Sequence, residues 1–582
     1  MISLGLFAQT TIPPGPVQGT WDAAGSPYLV MGNISIASGN DLVIEAGVDV
    51  VFQGTFALAV SGSISTNGSA ELPITFTAQD TLNGWSSIRL SNTGSGMNPP
   101  SSFNHTNFLY GRAIWGSSGG DPLNYGGAVW ADNAGTVTFN DCLFNRCKSA
   151  YDGSAIYADT GTNLVMNNCT VKNCESGFFG GVYVQEGTAE ITECLFDSNA
   201  AVTFGAALYF YESPQANVTS CSITNNVAGA VTGIYSASSS VQVKNSLFAG
   251  NETTMGLGAG MGVIGGTVSM INCTFHANTS AQGGAAAWFN ILSAPAVITN
   301  CIFWDNQPNA LAATSSTYEL SHCSMQEQEG DATNIFGDPQ FNDPTQADLT
   351  LLETSPCIDA GTPDADDLDL PPYDLAGMPR IVDGDGDSVA RIDIGCHEWQ
   401  IPVTDGVISG QVLTSQNEPI EGALIAADGI TILSDAAGFY SLTLPPGTYD
   451  VSCSKPGYVT VTETDVIVEA GETTTLNFYL DTVGNSDEYL VAAIDLLQNQ
   501  PNPFTAKTLI SYVLSRDNRV TLSIYNLKGQ KIKTLYSGMS KTGNHSLEWD
   551  GTDRNGRPVD KGIYLYRLQS GNKIITRKLI KL

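Results

Sequence analysis

Through the middle of the chain, apolar positions alternate for a few residues, lose phase at a polar pair, and then alternate again. In VSMINCTFHAN, Val268 and Met270 keep one phase, Ile271 and Asn272 break it, and Cys273 and Phe275 resume it. Alternation of period two predicts short β-strands, and the phase break predicts a corner between them. The pattern returns as LVMNNCTVKNC from Leu164, ITECLFDSN from Ile191, VKNSLFAGN from Val243 and ITNCIFWDN from Ile298.

Aligned on these copies, Cys142, Cys169, Cys194, Cys221, Ser246, Cys273, Cys301 and Cys323 form one column, with spacings between 22 and 28 residues. A period near 26 without helical periodicity predicts one β coil per repeat, stacked as a solenoid. Leucine-rich repeats share the period, but their Leu-rich consensus is absent. Two residues past the Cys runs an apolar column: Phe144, Val171, Phe196, Ile223, Phe248, Phe275 and Phe303. Three further on stand Asn199, Asn226, Asn251, Asn278 and Asn306. Equivalent residues of stacked parallel strands lie about 4.8 Å apart, so these amides are expected to hydrogen-bond up the column. A third column holds Trp130, Tyr157, Tyr183, Tyr209, Tyr235 and Trp288, preceded by small residues such as Gly126-Gly127-Ala128 that permit a tight turn.

Composition adds compartment and partner. The 582 residues exceed one core and predict several domains or a long solenoid. The net charge of −33 is uneven: residues 489–582 hold 15 of the 24 Lys and Arg against 6 acids, which leaves −42 on the rest. A body so acidic is expected to repel nucleic acid and anionic lipid, and the basic end reads as a separate module. No run of 18 apolar residues exists, so no membrane-spanning helix is predicted. MISLGLFAQT reads as the end of a signal peptide, with Ala8 before Gln9, on an exported protein whose start is truncated or misassigned.

On these columns and the F-x-x-N and G-G-A motifs (Phe196 to Asn199, Phe275 to Asn278, Gly283 to Ala285), the stretch 10–400 resembles a right-handed parallel β-helix of the pectate-lyase-like superfamily. Its repeat is similar to that of the polymorphic outer-membrane proteins, without their autotransporter barrel. The opening through GWSSIRL resembles the N-terminal coils of such helices, and residues up to GCHEW resemble their C-terminal closing segment. From Ile408, Gly410, Pro419, Gly422, Asp435, Gly438, Tyr440, Pro446, Gly447, Tyr449 and Gly457 fit the carboxypeptidase regulatory-like domain, a β-sandwich that serves as a spacer or binding unit. Near the end, Asn502, Pro503, Phe504, Gly529, Trp549, Gly551, Gly562, Tyr564 and Lys578 match the type IX secretion sorting domain, an Ig-like sandwich similar to the flagellar hook-capping module. That resemblance implies Sec export, passage through the type IX machinery of a Gram-negative outer membrane, and attachment or release at the surface.

The expected organisation is therefore all-β: a signal-peptide remnant at 1–9, a parallel β-helix solenoid at 10–400, and two small β-sandwiches. These are a prealbumin-like regulatory module at 406–481 and, after a linker at 482–490, an Ig-like sorting domain at 491–582.

Candidate chemistry is sparse. Asp383, Asp385, Asp387 and Asp393 alternate like ligands of a hard cation, making calcium a candidate cofactor in a structural role, although Ile394 stands where an EF-hand needs Glu. Asp141 and Glu193 share the corner column two coils apart, about 9.6 Å, at the edge of the separation for inverting glycosidases. Asn168 between them, with Ser220, Asn245, Asn272 and Asn300 beyond, makes polar corner residues the plainer explanation. Cys147 and Cys174 replace the ladder Asn in adjacent coils and are a candidate disulfide. The closing-segment resemblance suggests a second pair, Cys357 with Cys396, while the main Cys column reads as buried thiols. Phe210, Tyr211 and Trp304 are candidates for stacking on sugar rings. The five His residues show no metal or triad spacing.

The reading that follows is a secreted or surface-displayed protein acting as an adhesin or glycan-contacting surface, with type IX machinery and an extracellular polysaccharide or neighbouring cell as partners. The alternatives are a polysaccharide lyase or glycoside hydrolase on the same helix, and an architectural surface component.

Overall fold

The computed structural model describes residues 9–91, 99–114, 116, 122–326, 330, 332–363, 365–384, 386–400, 405–482, 494–502, 504–505, 507–514, 517–526, 531–554, 556–559, 561–570 and 573–581. The chain divides into two compact units, 1–401 and 402–582, each taken by itself below.

The first unit is a parallel solenoid. Among the described residues its strands form sheets of 14, 12 and 12 strands (sheets A, B and C), with a short sheet D of seven. One coil shows the path: Ser240–Lys244 in sheet C, Leu247–Ala249 in sheet A, Glu252–Thr253 in sheet D, Met261–Ile264 in sheet B, then Thr267–Ile271 back in sheet C. Each change of direction falls on a left-handed residue, here Asn245, Gly250, Gly258 and Gly265, at φ 50°, 63°, 74° and 69°. Asn and Gly tolerate this region best, which is why they mark the corners.

The alternation seen in sequence is the inside and outside of each strand. Phe108, Phe144, Phe196, Phe248, Phe275 and Phe303 are fully buried in one core. Neighbouring coils stack their rings face to face, Phe248 on Phe275 at 4.4 Å and Phe108 on Phe144 at 4.7 Å. The asparagine column is a continuous ladder. Asn199, Asn226, Asn251 and Asn278 each donate Nδ2 to the Oδ1 of the next, ending on Asn306, at 2.9 to 3.0 Å. Each also donates to a core-strand carbonyl, such as Asn251 to Ile223, so these buried amides are satisfied.

All twelve cysteines are buried and free, so neither expected disulfide is present. In-register parallel neighbours hold their Cβ atoms about 4.8 Å apart, beyond the span of a disulfide. The Cys147 and Cys174 thiols instead donate to the Phe108 and Lys172 carbonyls at 3.5 and 3.3 Å. Cys357 and Cys396 have separate partners: the Cys357 backbone N–H bonds Ser355 Oγ, and that of Cys396 bonds Thr274 Oγ1.

The closing segment packs sideways against the coils. Asn272 donates to the Asp393 and Gly395 carbonyls, Gly395 N–H donates to Asn300 O, and Lys244 reaches Asp369. Phe341, Leu349, Leu351, Cys357 and Ile394 cover Ile302 and pack on Leu247 and Trp304 of sheet A. Arg380 bonds Glu398 at 2.5 Å, both almost wholly buried, and also reaches Asn245.

In the second unit, Gly406–Thr414, Phe439–Leu444 and Thr473–Thr475 form one sheet, and Leu424–Ala427, Ile430–Leu433, Gly447–Ser454 and Val461–Val468 another, around a core that includes Ile425, Leu442, Val451 and Phe478. A third and fourth sheet, from Ile494–Leu496 onward, enclose Phe504, Ile510, Leu522, Trp549 and Tyr566. No helix among the described residues is long and apolar enough to cross a membrane.

Candidate functional site

The corner column changes character along the solenoid. Asp141, Asn168 and Glu193 are exposed, whereas Asn245, Asn272 and Asn300 are buried beneath the closing segment. All are left-handed, φ 49° to 56°, a turn conformation that Asn and Asp tolerate well. Asp141 is tied to its neighbours: Asn168 Nδ2 donates to it at 2.6 Å and His105 Nε2 lies 3.5 Å away. Glu193 faces a cleft of about 580 Å³ formed where the closing segment leaves the column. Asn168, Leu195 and Ser220 line one side, and Pro371 to Gly377 the other. The two candidate carboxylates are thus on one column but not on one cleft.

A second surface lies on the outer face of sheet B. Ile156 and Ala158 point into the core while Tyr157 points out, and the same holds at Tyr183, Tyr209 and Tyr235. These four rings, with Trp130, Phe179, Phe204 and Trp288, form an aromatic layer outside sheet B and separate from the coil core; the four tyrosines are themselves buried, and only the residues over and beside them reach the surface. Tyr157 stacks on Tyr183 at 4.9 Å and Tyr209 on Tyr235 at 4.9 Å. Over them lie residues that precede a left-handed turn in each coil. Tyr125 packs on Tyr157 at 5.1 Å, Phe179 on Tyr209 at 5.1 Å and Phe204 on Tyr235 at 4.6 Å.

In that overlying column the residue between Tyr125 and Phe179 is Asp152. Backbone bonds place it: Gly126 N–H donates to Asp152 O, and Gly153 N–H to Phe179 O. Its Oδ1 is buried without a hydrogen-bond partner. Burial pushes its carboxyl up to about 7, partly offset by the Phe179 N–H. The Tyr125 hydroxyl is pushed up as well, by burial first and then by the charge of Asp152. Sequence reading missed Asp152. The signal was available: in the position before the turn Gly, where Tyr125, Phe179 and Phe204 are aromatic, one coil carries an acid.

The other expected residues fall as follows. Phe210 is fully buried in the β-helix core and cannot meet a sugar, because its strand position points inward. Trp304 is half-buried beneath the closing segment. Tyr211 is half-exposed at the edge of the aromatic layer. In the acidic loop, Asp383 accepts from Gly386 and Ser388 N–H at 2.8 and 2.9 Å, and Asp387 pairs with Arg391 at 3.0 Å. Asp393 is buried, accepting from Asp359 and Trp399 N–H at 2.7 and 2.6 Å, and Asp385 lies outside the described residues. Among the described residues no three His, Cys, Asp or Glu converge as metal ligands, so the expected calcium set is not assembled by them. Asp383 is spent on backbone N–H groups of its own turn, Asp387 on a guanidinium, and Asp393 on N–H groups that tie the closing segment together.

Of the C-terminal motif, Phe504 and Trp549 are core rings 5.4 Å apart, and Tyr564 packs edge-on against Trp549 at 5.5 Å. Asn502 Oδ1 accepts Ile580 N–H at 2.8 Å, and Phe504 N–H donates to Ile580 O, pinning the last strand. Gly551 and Gly562 take φ 65° and 146°, turns that require glycine. Lys578 presents its carbonyl to Gln498, while Pro503 and Gly529 lie outside the described residues.

Comparison with known proteins agrees with this division. A family model for the right-handed β-helix region matches residues 98–203, 126–290 and 180–325. The carboxypeptidase regulatory-like domain matches 407–481, and the FlgD Ig-like domain matches 504–573. No curated protein matches. Among solved structures, a type II cohesin–X-dockerin complex chain from Acetivibrio cellulolyticus is 22% identical over 13% of this chain and 58% of its own, TM-score 0.12. A protein from Bacteroides uniformis is 11% identical over 30% and 100%, TM-score 0.13. PorZ of Porphyromonas gingivalis, a surface component of type IX secretion, is 12% identical over 30% and 32%, TM-score 0.13. The chain thus spans less than two thirds of the cohesin–dockerin and PorZ chains. Taken together, this protein carries a right-handed β-helix region followed by a carboxypeptidase regulatory-like domain and an Ig-like domain.

Proposed function

We propose that this is an exported surface or secreted protein whose β-helix contacts glycans, and whose residues 491–582 direct it through a type IX machine. The observation that carries the glycan reading is the aromatic layer on the outside of sheet B. An all-polar outer face would suffice for solubility, whereas rings here continue into the half-exposed Tyr151, Phe179 and Trp288 and the 43% exposed Phe178. Flat apolar faces with polar rims suit the faces of pyranose rings. The sorting reading rests on the C-terminal motif, whose described members build the core and turns of an Ig-like module.

Binding of the full chain to an immobilised panel of neutral, amino and acidic glycans tests the first part; loss of all binding would remove it. Deleting 491–582 tests the second: the truncated chain is expected to stay in the periplasm of a type IX host, and its normal export would overturn the assignment.

A second reading, hydrolysis or elimination on a polysaccharide, has one supporting observation, the exposure of Glu193 in the cleft at Pro371 to Gly377. A Glu193→Gln variant with unchanged turnover on every substrate found would end it.

A further inference from the structure

We infer that Asp152 and the rings around it form a binding site for an ammonium-bearing pyranose, the amino-sugar unit of a cationic glycan. The inference rests on the glycan-contacting reading and names its ligand class.

From Tyr125 to Val231 the overlying column breaks its run of apolar side chains once, at Asp152. Tyr157, Tyr209 and Tyr235 each carry a second ring over them, from Tyr125, Phe179 and Phe204. The equivalent place over Tyr183 belongs to Asp152, and among the described residues the rings that Tyr183 meets are Tyr157 and Tyr209. The layer registers the loss. Tyr183 and Tyr209 meet edge-on at 68°, whereas the pairs on either side stack at 5° and 13°. A short side chain therefore sits where the coils on either side place a ring, Tyr125 and Phe179, and its functional group is a carboxylate.

That carboxylate lacks a counter-charge. No ion pair among the described residues includes Asp152, and its Oδ1 has no hydrogen-bond partner. The other carboxylates that act on Tyr157 are Asp159 and Asp132, so no cation is supplied from that side. A half-buried acid without a counter-charge, held by a single backbone N–H, is costly, and positions that keep one are where binding chemistry concentrates. The residue is only partly buried, and a cation meeting its exposed edge would supply the missing counter-charge. The surrounding rings favour a cation too, since their faces carry negative charge.

The rest of the surface selects a ring-shaped carrier for that cation. Tyr125, Tyr151 and Phe178 form an outer stack, at 5.5 and 5.1 Å, whose last member is 43% exposed. Its next-coil neighbour is Thr203, which accepts no ring and ends the stack in the open: Thr203 N–H donates to Phe178 O. A pyranose laid on Phe178 would bring a ring substituent toward the acid one coil back. The −42 charge outside residues 489–582 attracts an amino-sugar polymer and repels a uronate one.

The test is calorimetric titration of the full chain with glucosamine oligosaccharides, their fully N-acetylated counterparts and oligogalacturonates, at about pH 7, where the amine keeps much of its charge and the Asp152 carboxyl is ionising. Glucosamine oligomers are expected to bind, with N-acetylation, Asp152→Asn and Phe178→Ala each weakening binding by about tenfold or more. Asp152→Asn keeps the shape of the side chain, and its circular dichroism checks that it folds. Equal binding of amino and acetylated oligomers, or undiminished binding by Asp152→Asn, overturns the inference while leaving glycan contact standing. Binding of none of these, nor of any neutral glycan, overturns both.

Discussion

The side-chain oxygen of Asn251 accepts two hydrogen bonds from Asn226, one from its Nδ2 at 3.0 Å and one from its backbone N–H at 3.1 Å. One residue thus closes the turn of the coil before it, and the same double bond joins Asn199 to Asn226 and Asn251 to Asn278. Asn251→Ala is expected to leave two buried donors of Asn226 unpaired and to destabilise the β-helix by about 2–4 kcal/mol. A lowered denaturant midpoint checks this, and hydrogen exchange should locate the loss in the coils around Asn226.

Arg380 and Glu398 bury an ion pair that anchors the closing segment. Removing one partner of a buried pair leaves a charge stranded, at a cost of about 3–5 kcal/mol. Arg380→Met is therefore expected to release residues 371–399 to limited proteolysis while the coils stay resistant. Glu398→Gln should do less, since it keeps an acceptor for the guanidinium.

Asp152 makes stability depend on pH in the direction opposite to a salt-bridged acid. Its folded pKa lies near 7 against 3.8 when free. The folded state binds the extra proton between these values, so its cost is absent below about pH 4 and grows as pH rises toward 7. Allowing for the partial exposure of the group, the change is on the order of 1–3 kcal/mol. Asp152→Asn should flatten this dependence and unfold later than wild type at pH 8.

The twelve buried thiols predict that reduction leaves the melting temperature unchanged. Alkylation of the denatured, unreduced chain should label all twelve, and any labelled count of ten or fewer would show a disulfide.

Phe504 fills the Ig-like core beside Trp549, and its backbone holds the last strand. Phe504→Ala is expected to cost about 3–5 kcal/mol and to raise hydrogen exchange in residues 573–581. Unchanged exchange there would contradict the pinning role of this residue.

The solenoid was legible because a stack repeats its contacts. Phe275 meets Phe248 and Phe303, and Asn278 meets Asn251 and Asn306, so one coil's chemistry reappears in the next and a period becomes visible. The corner at Asn272 was legible for a local reason, since the left-handed turn there selects Asn or Gly. The cysteines misled because spacing alone gives a distance and not the direction of a Cβ bond. Stacked parallel strands bring the Cα atoms of Cys147 and Cys174 within disulfide range, but their Cα–Cβ bonds run parallel and leave the Cβ atoms too far apart.

By itself, the sequence determined the period, the inward columns, the corner residues and the separate C-terminal modules, all of which depend on neighbours within about one coil. Tertiary structure decided what the surfaces are. Only the return of the closing segment, through contacts such as Asn245 to Tyr373 across 128 residues, buried half of the corner column and left Glu193 in a cleft. Only the stacking of coils showed Asp152 occupying a ring's place among tyrosines. Such features arise where distant segments meet, and no local pattern of polar and apolar residues encodes that meeting.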